Sequence, residues 1–160
     1  MRVLRKNDEA KAGDVFLMTN NPPLSLAVLI SGRGSNLQSL IESCAREDFP
    51  ARIAVVISNR PEAAGLDRAR KAGIPTEIVD HRLFKDRESF EGALDTTLRR
   101  YPLDLICLAG FMRILTSGFV EKWPDRIINI HPSLLPDYKG LDTHARALAD
   151  GRAEAGCTIH

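Results

Sequence analysis

This chain has no long apolar run. No stretch approaches the ~20 apolar residues that cross a bilayer, which argues against a membrane-spanning helix. Nor does the start read as an apolar core followed by a small-residue cleavage site, so no secretory signal is expected. Cysteine is scarce: Cys44, Cys107 and Cys157 are odd in number and far apart. That pattern suits neither a disulfide framework nor a metal site, and it fits reduced thiols in a cytoplasmic protein. His81, His131, His144 and His160 show no ligand spacing with each other or with the cysteines, so no metal is expected. Charge of one sign is lacking too. Lys plus Arg number 22 and Asp plus Glu 21, a net +1, which argues against nucleic acid or a membrane surface as partner. No internal repeat is present.

What remains is an ordinary soluble balance, 44% hydrophobic and 27% charged over 160 residues, enough for one domain with a core. Residues 1–24 carry no sustained periodicity and end in Thr19-Asn20-Asn21-Pro22-Pro23. They are expected to be a disordered leader, with Met18 a candidate for the natural start. From residue 25 onward the chain alternates. Strands are expected at Leu26–Ser31, Arg52–Ile57, Thr76–Val79, Leu103–Leu108 and Arg126–Ile130, and Gly156–His160 reads as the opening of another. Helices are expected at Asn36–Arg46, Ala63–Ala72, Arg87–Tyr101, Ser117–Lys122 and Ala145–Asp150. Gly73 is placed to stop the second helix. The run Leu103–Leu108 reads as a strand buried on both faces. Such alternation implies an α/β fold, a doubly wound and mostly parallel sheet with helices on both faces.

Two stretches carry chemistry. The apolar run Leu26–Ile30 leads into Ser31-Gly32-Arg33-Gly34-Ser35-Asn36, and then apolar residues recur at helical spacing at Leu37, Leu40 and Ile41. Strand, glycine turn and helix in that order bring backbone N–H groups close to a ligand, and a phosphate is the natural occupant. The turn lacks the third glycine of a dinucleotide fingerprint and the Lys-Ser/Thr of a P-loop. It also reads as a plain βα turn with Ser35 capping the helix.

The second stretch is Asn129-Ile130-His131-Pro132-Ser133-Leu134-Leu135-Pro136. Asn129 and His131 are two apart at a strand end, so they share one side. An amide donor and a titratable imidazole at the carboxyl end of a parallel strand suit acid–base chemistry. The pair also reads as a satisfied Asn and a core His beside a turn. Asn36 and Asn129 are expected near one cleft.

Taken with Leu108-Ala109-Gly110-Phe111-Met112-Arg113-Ile114-Leu115 and Gly140-Leu141-Asp142-Thr143-His144, these motifs resemble the phosphoribosylglycinamide formyltransferases, the glycinamide ribonucleotide transformylases of purine synthesis. The resemblance runs from about Leu26 to His160. It implies a Rossmann-like formyltransferase fold and transfer of a formyl group from 10-formyltetrahydrofolate, as co-substrate, to glycinamide ribonucleotide. It further implies that Asn129 and His131 are catalytic, and that Gly34, Ser35 and Asn36 hold the ribonucleotide phosphate. Arg87, Met112, Arg113, Ile114, Leu115 and Asn129 would meet the formylfolate. The family's catalytic aspartate would fall beyond His160, so the resemblance implies a domain lacking its last elements and inactive by itself. Two other readings stay open. One is a formyltetrahydrofolate deformylase, which keeps the Asn-x-His. The other is a non-catalytic module that binds a nucleotide phosphate on the glycine turn.

Overall fold

The computed structural model describes residues 22–140 and 142–160. Most of the expected leader, Met18 included, lies outside the described residues. Two compact units are distinguished, one of residues 23–130 and one containing residues 131–160.

The first unit is built on parallel strands β1 (Leu24–Ile30), β2 (Ala51–Ser58), β3 (Thr76–Ile78), β4 (Leu105–Leu108) and β5 (Ile127–His131, whose last residue is assigned to the second unit). Their order across the sheet is β3-β2-β1-β4-β5, and every neighbouring pair is parallel. Alternate side chains of a strand face opposite ways, and here both ways are apolar. Ala27, Leu29, Val55 and Ile57 pack on one face with Phe90, Leu94, Leu98, Phe119 and Trp123. Val28, Ile30 and Val56 pack on the other with Leu37, Leu66 and Ala69. Helices α1 (Ser35–Cys44) and α2 (Gly65–Lys71) therefore cover one face, and α3 (Arg87–Leu98) and α4 (Ser117–Val120) cover the other. This is the doubly wound arrangement that the alternation implied. Each fully buried Leu or Phe contributes about 1.5–3 kcal/mol, and truncating Leu94 to Ala should cost about 2–5 kcal/mol.

Several element ends differ from expectation for local reasons. β1 begins at Leu24, inside the stretch expected to be leader. β4 starts at Leu105 rather than Leu103. Asp104 interrupts the apolar run, and its carboxylate accepts Ser25 N–H at 2.7 Å while its own N–H donates to Ser25 O at 2.8 Å. α2 starts at Gly65 rather than Ala63, because Ala63 closes a turn on Arg60 O. α3 is started by Asp86, which accepts Ser89 N–H at 2.8 Å, and it ends at Leu98, short of Tyr101. α4 is started by Thr116, whose hydroxyl accepts Phe119 N–H. A 3-10 turn at His81–Leu83, capped by Asp80, was not expected. Gly73 does follow α2, with φ +70°.

In the second unit, α5 (Thr143–Ala149) begins two residues before the expected start, after Asp142 in left-handed backbone. β6 is only Thr158–Ile159. The proline-rich loop is held by side chains. Thr143 Oγ1 donates to Pro132 O at 2.6 Å, Thr158 Oγ1 donates to Ser133 O at 2.8 Å, and Leu135 N–H donates to Thr158 Oγ1 at 2.9 Å. The Leu135–Pro136 bond is cis.

Candidate active site

The glycine turn forms where β1 leaves the sheet. Gly34, not Ser35, is the residue before α1; its φ is +72° and no side chain caps the helix. The first helical bond runs from Gln38 N–H to Gly34 O at 2.9 Å. Ser35 and Asn36 are exposed at the first two helical positions, where backbone N–H groups have no intrahelical acceptor. The turn is braced from α2, since Gly65 N–H donates to Gly32 O at 3.0 Å and Arg68 Nε donates to Arg33 O at 2.9 Å.

A cavity of about 340 Å³ opens on this turn. Ser31 through Asn36 line it, together with Arg60, Ala109, Gly110 and Met112. It therefore lies at the carboxyl ends of β1, β2 and β4, where open α/β sheets bind ligands. Its lining holds two arginines, Arg33 and Arg60, and no carboxylate, so its field favours an anion.

The structure brings Gly34, Ser35, Asn36 and Met112 into this cavity and leaves the other expected residues outside its lining. Met112 is 62% exposed, and its N–H donates to Ser31 Oγ at 2.7 Å. Arg113 holds its guanidinium 6.0 Å from the Phe90 ring centroid. Ile114 is 79% exposed, whereas Leu115 packs against the core. Arg87 is exposed on the first turn of α3. Asn129 is half-buried near the end of β5 and in register with Leu108, whose successors Ala109 and Gly110 line the cavity. His131 is half-buried, with Nε2 3.2 Å from Tyr138 O.

Asn59 and Arg60, between the expected strand Arg52–Ile57 and helix Ala63–Ala72, carried no sequence motif. Their position after the second strand of a parallel sheet was the available signal. Glu91 carried none either; it is a buried carboxylate on α3 that accepts Thr116 N–H at 2.8 Å and the Thr116 hydroxyl.

Within residues 131–160 a second cavity of about 280 Å³ is lined by Pro132, Tyr138, His144, Arg152 and Glu154 among others. Tyr138 O–H donates to Asp150 at 2.9 Å and accepts from Arg152 Nε at 3.1 Å. Burial pushes the Cys44 and Cys107 thiols up, so both stay protonated at neutral pH. Among the described residues no group of three or more His, Cys, Asp or Glu is placed to hold a metal ion, and no helix is long and apolar enough to cross a membrane.

Comparison with known proteins bears on this geometry. The family model described as formyl transferase matches residues 24–160. The trifunctional purine biosynthetic protein adenosine-3 of Homo sapiens is 52% identical over 135 residues, covering 84% of this chain and 13% of that protein. The phosphoribosylglycinamide formyltransferase of Escherichia coli is 44% identical over 137 residues, covering 86% of this chain and 65% of that enzyme. The crystal structure of phosphoribosylglycinamide formyltransferase from Brucella melitensis superposes with a TM-score of 0.83 at 44% identity, covering 86% of this chain and 72% of that one. The structure of the Coxiella burnetii enzyme in complex with CHES gives 0.82 at 51% identity, covering 86% and 65%. The chain thus spans about an eighth of the human trifunctional relative and about two thirds of the Escherichia coli enzyme. With the glycine turn, the Met112 segment and the Asn129–His131 strand end lying in the matched region, the chain belongs to the formyl transferase family.

Proposed function

We propose that this chain serves formyl transfer from 10-formyltetrahydrofolate to the primary amine of glycinamide ribonucleotide, in the cytoplasm. The observation that carries the reading is the cavity shared by the Gly34–Asn36 turn and Met112. A ribonucleotide phosphate seated on the turn would meet backbone N–H groups, the Ser35 hydroxyl, and the charges of Arg33 and Arg60. The Met112–Leu115 segment would then border the formylfolate, with Met112 and Ile114 offering apolar surface and backbone groups reading the ring edge. Arg87 is the further formylfolate contact by resemblance.

The chemistry asks little more. The substrate amine attacks the formyl carbon, and negative charge gathers on the formyl oxygen. The carbon's bond to the folate nitrogen then breaks, the amine loses a proton, and that nitrogen gains one. Asn129 is assigned to donate an amide N–H to the developing oxyanion, an interaction worth about 3–4 kcal/mol where it is preorganised. His131 is assigned by resemblance to donate an imidazole N–H and to carry the proton, since an imidazole ring can both give and accept one. Its reach to Tyr138 O orients the ring. Free thiols at Cys44, Cys107 and Cys157 suit a reducing compartment.

The test joins the relatives' C-terminal part to this chain and supplies both substrates. Formylglycinamide ribonucleotide should appear in step with tetrahydrofolate. Free formate without it would favour a deformylase. Ribonucleotide binding with neither product would favour a binding module.

A further inference from the structure

We propose that Asn59 is a positioning residue: acting through the Ser31 hydroxyl, it fixes the Met112 segment against the phosphate turn. The inference rests on the function proposed above. A serine hydroxyl has one proton and two lone pairs. Ser31 Oγ gives its proton to Asn59 Oδ1 at 2.6 Å. Its lone pairs are thereby left for Met112 N–H, which donates to it at 2.7 Å. Were that proton turned toward Met112, two donors would face each other. The acceptor oxygen of Asn59 thus sets the polarity of the relay. Ser31 and Asn59 are 5% and 2% exposed, so water is poorly placed to substitute for either partner.

Asn59 is itself held firmly. Its N–H donates to Ile30 O at 3.4 Å, and its carbonyl oxygen accepts His81 N–H at 3.3 Å. His81 Nδ1 lies 2.8 Å from that carbonyl oxygen and 3.2 Å from Asn59 Nδ2. When protonated, Nδ1 donates to the carbonyl; when bare, it accepts from the amide. The His81 ring meets Phe90 edge-on with centroids 6.5 Å apart, and Arg113 sits 6.0 Å from the same Phe90 centroid. These contacts close a circuit from Met112 through Ser31, Asn59, His81 and Phe90 to Arg113. Two consecutive residues of the segment are tied to one buried amide. The phosphate turn has its own bonds to Gly65, Arg68 and Gln38. Loss of the relay should therefore release the Met112 segment and leave the turn in place.

The experiment compares Asn59→Leu, which deletes the acceptor, with Asn59→Asp, which keeps an acceptor oxygen toward Ser31. The readouts are hydrogen exchange at the Met112 amide by NMR, and calorimetric affinities for a non-reactive 10-formylfolate analogue and for inorganic phosphate. Asn59→Leu should lose at least about tenfold in Met112 protection and about tenfold in folate-analogue affinity, with phosphate affinity unchanged. Asn59→Asp should restore most of both. If Asn59→Leu does not fold, Asn59→Ala, which also deletes the acceptor and lies outside the cavity lining, carries the same readouts and the same expectation. A protected Met112 amide in the folded variant, equal folate affinity, or a parallel loss of phosphate affinity overturns the inference. A wild-type chain with no affinity for the analogue overturns the functional reading, and this inference with it.

Discussion

A Cβ placed on Gly34 would stand 2.7 Å from the Cα of Gly65, and one placed on Gly65 would stand 2.6 Å from Ile30 Cδ1 and 3.2 Å from the Cα of Gly34. The start of α2 thus rests on the phosphate turn through two glycines, and the bond from Gly65 N–H to Gly32 O needs that approach. Gly65→Ala should cost about 1–3 kcal/mol by overpacking. Gly34→Val should lose a similar amount and about 1–2 kcal/mol more for left-handed backbone. Urea unfolding measures both. Stability unchanged in Gly65→Ala would show that the contact relaxes freely. Loss of ligand binding in Gly34→Val is then a loss of the turn itself, not mere crowding of a site.

The exposed side chains of the turn give a cleaner probe of binding. Ser35 does not cap α1, so Ser35→Ala should leave the melting temperature in place. Affinity for glycinamide ribonucleotide should fall about fivefold for one lost hydrogen bond, more if the phosphate charge strengthens it. Titration calorimetry decides. An unchanged affinity would remove Ser35 from the phosphate site.

The fold was legible because both faces of β1 and β2 are apolar and the intervening segments have helical period. Edges were less legible. Asp104 looked like a member of an apolar strand, yet its carboxylate is engaged by Ser25 from 79 positions away, a partner no local pattern reveals. Gly65 looked like a helix-interior residue, whereas its value lies in a contact with Gly34. The residues of the glycine turn and Met112 were legible through motif order. Asn59 and Glu91 were not, since a buried polar side chain declares itself only by its partners. Arg87 lies in the expected helix and Ile114 in the stretch after the expected strand, but the sequence does not say how exposed they are.

Removal of the proposed oxyanion donor should show in turnover. In a version carrying the relatives' C-terminal part, Asn129→Ala should lower kcat about 100- to 1,000-fold, with a modest change in KM. His131→Ala should be comparably severe. Steady-state kinetics with both substrates varied checks this, and near-normal kcat in either variant would remove that residue from the mechanism.

Acid should expose the cap of the 3-10 turn. Hydrogen bonds from the Arg82 side chain, aided by its backbone N–H and charge, hold the Asp80 carboxyl at about 2. An unfolded aspartate titrates at about 3.9. The folded value is the lower, so the stabilisation is fully present above about pH 4 and is lost as pH falls toward 2. Asp80→Asn should flatten that part of the acid-unfolding curve. Denaturant midpoints by circular dichroism at pH 6, 4, 3 and 2 test it. An identical acid dependence in the variant would assign the acid limb to other carboxylates.

The buried carboxylate of Glu91 joins α3 to the segment that leads from Met112 into α4. It accepts both the N–H and the hydroxyl of Thr116, while the Thr116 oxygen accepts Phe119 N–H and starts α4. With Glu91 4% exposed, water replaces a lost donor poorly, and hydrogen bonds to charged groups are worth about 1.5–3 kcal/mol. Thr116→Val should cost about that much and also fray α4. Glu91→Leu should cost more, because it strands Thr116 N–H. With Glu91 already replaced by Leu, Thr116→Val should cost only the lost cap of Phe119, about 1 kcal/mol, giving a coupling well above the ~0.5 kcal/mol within which independent sites add. Urea unfolding of the four proteins measures the cycle. Additive costs would mean that the two residues act separately, and that the end of the Met112 segment is fixed by Leu115 packing alone.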